Sequence, residues 1–144
     1  MHIIYKTGDL LQCDEDIIAH GCNAQGVMGA GVAKAIKEKY PGSYEYYRYM
    51  WHHGMLRPGS ILTYQESDKM IVHMITQPTF GRGPEVYVKY EAVKSCIEEL
   101  NRTFTGHSVA MPKIGAGLGG GDWDEIARII ERESTHFQPV VYTL

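Results

Sequence analysis

Two glycine-rich segments constrain the fold of this chain more than any other feature. Each follows a short apolar run of strand character and precedes a run of helical period: Gly26 to Val32 (GVMGAGV) and Ile114 to Gly121 (IGAGLGGG). A strand, a glycine loop and a helix N-terminus form an anion-binding arrangement, because uncovered backbone N–H groups and the positive end of the helix dipole face one point. Two such loops predict a ligand with two phosphates. The alternative is that these glycines only permit tight turns with positive φ.

The spacing of the second segment also satisfies a common dinucleotide-binding pattern. Gly115, Gly117 and Gly120 match GxGxxG, which normally opens a βαβ unit with an acidic residue at the end of the next strand. Only 24 residues follow Gly120, and the last apolar run, PVVYTL, is neutral. Neither segment ends in Gly-Lys-Ser/Thr, as a Walker A loop would. A Rossmann unit and a P-loop are therefore both disfavoured.

Apolar runs alternate with segments of helical period along the whole chain, which is typical of an α/β fold. Strands are predicted at 2–5, 17–22, 61–64, 70–76, 108–111 and 140–143, and helices at 31–39, 44–53, 84–101 and 123–133. Some connections are hairpin-short and others contain helices, so the sheet should be mixed. The sequence predicts a three-layer α-β-α sandwich with a mixed six-stranded sheet, and its 144 residues suit a single domain over 1–144.

Charge and composition exclude several classes of protein. The formal net charge is −3 and no basic run is long enough to neutralise several phosphates, so direct sequence-specific binding to nucleic acid is not expected. No apolar stretch approaches the ~18 residues of a membrane span. Lys6 and Asp9 stand where a signal peptide would be apolar, which predicts a cytoplasmic protein with no membrane partner. The cysteines and histidines show neither CxxC nor HxxxH spacing, so no metal or other cofactor is predicted.

Four stretches carry a resemblance to a known family. They are GDLL at 8–11, IIAHGCNAQGVMGAGVAKAIKEKYP at 17–41, MPKIGAGLGGGDW at 111–123 and the terminal VYTL. Together they resemble the macrodomain, and within it the small branch of yeast-type ADP-ribose-1″-phosphate phosphatases and terminal ADP-ribose glycohydrolases. The resemblance implies a cleft at one end of the strands. It also implies ADP-ribose, ADP-ribose-1″-phosphate or ADP-ribosylated macromolecules as partners.

The family's ligand contacts transfer to matching positions of this chain. Asp9, followed by Leu10, matches the acidic residue that accepts a hydrogen bond from the adenine amino group; its alternative role is to cap a local turn. Asn23 matches the residue that contacts the distal ribose, and Gln25 lies near it in sequence. The two diphosphate loops correspond to Gly29, Ala30, Gly31 and Val32 and to Gly115, Ala116, Gly117, Leu118 and Gly119.

The resemblance is weaker for catalysis. The large hydrolase branch has an aspartate just after its first glycine loop, where this chain has Val32-Ala33-Lys34. The terminal glycohydrolases use a lysine and an aspartate at the positions that Gln77 and Gly119 occupy. His20 remains, matching the strand histidine of the phosphatase branch and acting beside Asn23. The sequence thus favours a phosphatase-like hydrolase. The alternatives are an ADP-ribose-binding module without turnover and a glycohydrolase with another mechanism.

Several residues have a structural alternative. His20 is equally consistent with a buried strand histidine. Cys22 is better explained as a small core residue than as the nucleophile of a Cys–His pair. Asp122, one residue before a helix and three before Glu125, is typical of a helix N-cap. The aromatic segment 44–53 is best explained as a helix packed on the sheet. The loop 77–86, with Phe80 and Arg82, suits a lid over the distal ribose. Arg82 is equally consistent with a solvated surface residue.

Overall fold

The computed structural model describes all residues, 1–144. The strands are β1 (Ile4–Thr7), β2 (Ile17–Asn23), β3 (Ile61–Glu66), β4 (Lys69–Gln77), β5 (Ser108–Met111) and β6 (Gln138–Thr143). The helices are α1 (Gly31–Lys39), α2 (Pro41–His52), α3 (Tyr90–Thr103) and α4 (Trp123–Glu133), with a short 3-10 turn at Leu10–Gln12. None of the helices combines the length and the apolar character that crossing a bilayer requires.

The six strands form one mixed sheet in the order β1-β6-β5-β2-β4-β3. All neighbours are parallel except the β3–β4 pair, which a two-residue turn joins as an antiparallel hairpin. The carboxyl ends of β1, β6, β5, β2 and β4 therefore meet at one edge of the sheet. Ligands of open α/β sheets bind outside such an edge.

A hydrophobic core lies on each face of the sheet. The core under α3 and α4 includes Ile97 and Ile130, and the core under α1 and α2 includes Ile36 and Tyr47; all four side chains are fully buried. β2 supplies both cores, because its alternate side chains point to opposite faces. This arrangement confirms the predicted α-β-α sandwich.

All predicted elements are found, with differences at several of their ends. β1 lies at Ile4–Thr7, two residues later than predicted, and α2 begins at Pro41, three residues earlier, with proline in the first helical turn. The prediction that α3 opens at Pro84 is wrong, since the helix begins at Tyr90. The N–H groups of Tyr87 and Val88 donate instead to the Gly119 carbonyl, at 2.8 and 3.1 Å. Tertiary hydrogen bonds thus hold this segment outside the helix.

Candidate functional site

A large cavity opens at the carboxyl edge of the sheet, above β5, β2 and β4. Its volume is about 750 Å³, within the usual range for small-molecule sites. The walls come from both glycine-rich segments, the ends of β2 and β4, and the loop after β4. In residue numbers, the lining is 20–23, 27, 29–33, 76, 77, 80–82, 112–115 and 117–119. The topology thus brings the two glycine segments, nearly 90 residues apart in sequence, to one cavity.

Both glycine segments present backbone N–H groups that have no acceptor within the chain. In the second segment these belong to Gly115, Gly117, Leu118 and Gly119. In the first they belong to Gly29, Ala30, Gly31 and Val32, where α1 begins. Unpartnered N–H groups at a loop and at a helix N-terminus suit an anionic ligand.

The fold itself requires some of these glycines and not others. Gly115 has φ +73°, and a Cβ atom there would lie 2.7 Å from Val88 Cγ2. A Cβ atom on Gly119 would lie 2.7 Å from the Gly115 carbonyl oxygen. Gly117, in contrast, has an ordinary φ, and its Cβ would meet no atom within 4 Å. A side chain at Gly117 would therefore obstruct the cavity without disturbing the chain.

Asn23 holds the first glycine segment against the end of β2. Its Nδ2 donates to the Val27 carbonyl at 2.9 Å, and its Oδ1 accepts from the Gln25 N–H at 2.9 Å. The buried Tyr47 hydroxyl lies 2.5 Å from the Asn23 carbonyl oxygen and 2.9 Å from Oδ1. The second N–H of the amide has no partner in the chain, so Asn23 keeps one donor for a ligand.

His20 belongs to a buried hydrogen-bonded chain that fixes its tautomer. The Ser43 carbonyl can only accept, so His73 Nε2, 3.0 Å away, carries its hydrogen. His73 Nδ1 must then accept from His20 Nε2–H, at 2.7 Å. The lone pair of His20 is thereby left on Nδ1, which has the Cys22 thiol 3.6 Å away. The network is complete when both imidazoles are neutral.

Burial favours that neutral state. It lowers the pKa of His20 well below its ordinary value, with the neighbouring His73 as a second cause, and it lowers the pKa of His73 to about 4. Burial also raises the pKa of the Cys22 thiol well above its ordinary range. Cys22 is therefore a protonated thiol at neutral pH, which makes it a poor nucleophile.

The same three side chains form the one compact set of metal-ligating groups in the molecule. The ligand atoms of His20, Cys22 and His73 lie within 4.8 Å of one another and are buried. Two imidazoles and a thiolate would suit zinc or Cu(I). The hydrogen bonds described above explain how these three side chains are arranged without a metal ion. Sequence spacing could not reveal the set, because His73 reaches His20 through the β2–β4 register.

Four of the predicted ligand-binding residues lie outside the cavity lining. Asp9 is exposed and caps the turn at Leu10–Gln12 by accepting from the Leu11 N–H at 2.9 Å, while Leu10 is buried in the core. Ala116 packs against the other core. Gln25 is exposed, and its Nε2 donates to the Pro78 carbonyl at 2.9 Å, linking the first glycine segment to the loop after β4.

Residues 80–82 of the loop after β4 line the cavity, whereas Asp122, the residue before α4, does not. Phe80, which is half exposed, and Arg82 line the cavity together with Lys113, a residue that sequence reasoning did not single out. Arg82 and Lys113 are the two cationic side chains of the lining. Asp122 caps α4 by accepting from the Asp124 N–H at 3.0 Å, which confirms the predicted cap.

Comparisons with known proteins agree with this arrangement. The family model described as "Macro domain" matches residues 19–130. An uncharacterised 17.5 kDa protein of Enterobacteria phage T4 is 31% identical over 98% of this chain and 96% of its own. The ADP-ribose 1″-phosphate phosphatase of Scheffersomyces stipitis is 29% identical over 96% of this chain and 99% of its own.

A further relative is much longer than this chain. The DNA ADP-ribosyl glycohydrolase of Mycobacterium tuberculosis is 29% identical over 86% of this chain, which spans 36% of that protein. The solved macrodomain of Mycobacterium tuberculosis DarG superposes with a TM-score of 0.83 at 27% identity, covering 99% of this chain and 97% of that one. A Bacteroides thetaiotaomicron protein of unknown function superposes with a TM-score of 0.88 at 29% identity, covering 100% and 99% of the two chains.

Proposed function

This chain belongs to the macrodomain family, and on that premise we propose that its cavity binds ADP-ribose and that the protein removes phosphate from ADP-ribose-1″-phosphate. The observation that carries the binding proposal is the pair of glycine segments whose unpartnered N–H groups face one cavity. Such groups bind phosphoryl oxygens without a metal ion. Relatives named as a phosphatase and as a glycohydrolase support a hydrolase.

The order of the strands supports a direction for the bound nucleotide. Asp9 follows β1 at the same edge of the sheet, two strands away from β5. Because neighbouring strands lie ~4.8 Å apart, this places Asp9 about 10 Å beyond the second glycine segment. We place the diphosphate between the glycine segments, adenine toward Asp9, and the distal ribose toward Asn23 and Phe80. One carboxylate can both cap the turn and accept from the adenine amino group, since it has two oxygens.

His20 is our candidate for the proton transfer in phosphate removal. Its neutral ring keeps the lone pair on Nδ1, because Nε2–H is donated to His73. A water molecule attacking phosphorus would lose a proton to that nitrogen as the bond from phosphorus to the C1″ oxygen breaks. The departing oxygen then takes this proton from His20 Nδ1–H, which restores the neutral ring and gives inorganic phosphate and ADP-ribose. The free N–H of Asn23 would hold a distal ribose hydroxyl during this step.

A second candidate function is binding without turnover. His20 is 1% exposed and already hydrogen-bonded, as expected of a structural histidine. Gln77 and Gly119 stand where related glycohydrolases carry a lysine and an aspartate, so the lysine-dependent reaction has no nucleophile here. A module that recognises ADP-ribose and leaves it intact would need only the glycine segments, Asn23 and Asp9.

Calorimetry and product analysis separate these functions. We expect ADP-ribose to bind one to one and ADP-ribose-1″-phosphate to release inorganic phosphate. The variant His20→Ala should release phosphate ~10²–10⁴-fold more slowly at nearly unchanged ADP-ribose affinity, because a general base acts mainly in the transition state. The variant His52→Ala, at an exposed histidine of α2, serves as the control.

Each outcome has a defined meaning. Absence of ADP-ribose binding would contradict the proposal altogether. Tight binding with no phosphate release would select the binding module. Release of ADP-ribose from ADP-ribosylated DNA or protein, tested in parallel, would select a glycohydrolase. Phosphatase activity that survives His20→Ala would remove this histidine from the mechanism.

A further inference from the structure

Thr76 lies near the end of β4. Its Oγ1 is the one buried side-chain oxygen or nitrogen of this chain that makes no hydrogen bond. The residue is fully buried, yet it belongs to the cavity lining. Native proteins pair nearly all buried polar groups, so each exception calls for an explanation. An unpaired hydroxyl at the edge of a binding cavity is explained if its partner is a ligand atom.

The backbone at Thr76 departs from the regular ladder. Cys22 pairs with Ile75, but the next residue, Asn23, pairs with Gln77, so Thr76 has no partner on β2. This is a β-bulge at the strand end that faces the cavity. Bulges occur next to active sites because the extra residue redirects a side chain. The carbonyl oxygen of Thr76 is accounted for, since it accepts from the Lys89 N–H at 2.9 Å.

The surroundings of the hydroxyl suit an anion. A Cβ atom on Gly21 of β2 would lie 3.0 Å from Thr76 Oγ1 and 3.8 Å from Gly115 N, so both groups lie beside the face of Gly21 that carries no side chain. The Gly115 N–H has no acceptor in the chain either. Two donors without partners therefore border the same small space beside Gly21, and a phosphoryl oxygen can accept from both.

We infer that the Thr76 hydroxyl is a ligand contact of the cavity and donates a hydrogen bond to a phosphoryl oxygen of the bound nucleotide, together with the Gly115 N–H. This inference rests on the proposed function and adds to it a recognition element on β4, outside both glycine segments. The phosphoryl oxygen belongs either to the diphosphate of ADP-ribose or to the terminal phosphate of ADP-ribose-1″-phosphate.

The test compares Thr76→Val with Thr76→Ser. Valine keeps the branched shape and removes the hydroxyl, whereas serine keeps the hydroxyl. We expect Thr76→Val to bind ADP-ribose or ADP-ribose-1″-phosphate about tenfold more weakly, and Thr76→Ser to stay close to the wild type. Thr63→Val, at a half-buried threonine of edge strand β3, is the matched control and should bind normally. A weaker complex with ADP as well assigns the contact to the diphosphate. A loss confined to ADP-ribose-1″-phosphate assigns it to the terminal phosphate.

The unfolding temperature of the ligand-free protein provides a second readout. Valine should leave it unchanged or raise it, because an unpaired hydroxyl leaves the interior. A lower unfolding temperature with normal affinity would show that the hydroxyl is paired within the fold, and would overturn the inference. Equal affinity of all variants for every ligand, or a loss with ADP-ribose that ADP and ADP-ribose-1″-phosphate do not share, would overturn it too.

The Thr76 contact can be tested even if the proposed function is wrong. If the wild type does not bind ADP-ribose, that function is contradicted, and inorganic pyrophosphate becomes the probe for Thr76. Weaker pyrophosphate binding by Thr76→Val than by Thr76→Ser then supports the phosphoryl contact. Equal or absent pyrophosphate binding overturns it.

Discussion

At the scale of single residues, the Asp9 carboxylate makes a cap that the structure shows and, in our proposal, also an adenine contact. One oxygen accepts from the Leu11 N–H, and the residue is exposed at the edge of the sheet where the proposed nucleotide ends. The second oxygen is available to an adenine amino group. The capping role alone would explain an aspartate at this position, so only a variant that keeps the cap can test the binding role.

The variant Asp9→Ser separates the two roles. Serine is about as good a cap as aspartate, but it carries no charge and is shorter. We expect the unfolding temperature to stay unchanged, because the turn keeps its cap. The ADP-ribose affinity should fall by about 1.5–3 kcal/mol, the usual value of a hydrogen bond to a charged group. Calorimetry that finds wild-type affinity in Asp9→Ser would limit Asp9 to the cap.

Contacts between residues that are close along the chain were predictable from the sequence. The capping role of Asp122 was predictable because a cap and its N–H lie two residues apart. The partners of His20 and Asn23 were not predictable, because His73 and Tyr47 reach them across the sheet and from a helix. The missing partner of Thr76 was equally hidden, since a bulge depends on the register of two strands.

At the scale of elements, the second glycine segment contains positions of two kinds. Gly119 lies against the chain itself, and its carbonyl accepts from Tyr87 and Val88. Gly117 faces open space in the cavity wall. The same substitution at these two positions should therefore have opposite effects on folding and binding.

We expect Gly117→Val to fold normally and to lose ADP-ribose binding, because a branched side chain would occupy the approach to the loop N–H groups. Gly119→Val should instead unfold at a markedly lower temperature, since its Cβ would lie 2.7 Å from the Gly115 carbonyl oxygen. Thermal unfolding and calorimetry on both proteins check this pair. Normal binding by Gly117→Val would mean that the second glycine segment is only a turn.

The ends of the helices and strands show which boundaries local sequence patterns can predict. The predicted bounds of α1, β5 and α4 agree with the structure, because local apolar periodicity marks them and α4 has a capping aspartate. The predicted start of α3 does not agree with the structure. Pro84 is a strong helix-opening signal, but the hydrogen bonds to Gly119 keep the residues after it out of the helix. That failure falls next to the cavity, because Tyr87 and Val88 hold the second glycine segment through the Gly119 carbonyl.

At the scale of the whole molecule, the buried His20–His73 pair couples stability to pH. Both rings are neutral in the fold, and the pKa of His73 falls to about 4, whereas both histidines of the unfolded chain titrate near ~6.5. Between these values the unfolded state binds more protons, so acid favours unfolding. Stability should therefore be constant above pH ~6.5 and fall below it, by up to about 1.4 kcal/mol per pH unit for each histidine.

Denaturant titrations from pH 7.5 down to pH 5 measure this slope. His73→Gln should reduce it, because one of the two buried rings is gone. His136→Gln, at an exposed histidine, should leave the slope unchanged. A wild-type free energy of unfolding that does not change between pH 7.5 and pH 5 would show that the two rings take up protons in the fold as readily as in the unfolded chain, and would contradict this prediction.

The number of strands and helices followed from the sequence, but the order of the strands did not. Alternating apolar runs indicate how many strands exist, yet they carry no information on which strands become neighbours. The position of β2 between β4 and β5 decides that both glycine segments reach one cavity. The two glycine loops and the family resemblance both predicted one binding site, but neither predicted the strand order that forms it.

The pairing of β1 with β6 has a consequence for how the protein emerges during synthesis. β1 is made first and has no other neighbour in the sheet, so it must wait until residues 138–143 have left the ribosome. The turn that carries Asp9 waits with it. A nascent chain can therefore form the β2–β4 pair and the hairpin long before the adenine end of the proposed site exists, and we expect ligand added during translation to stabilise the fold only after β6 has emerged.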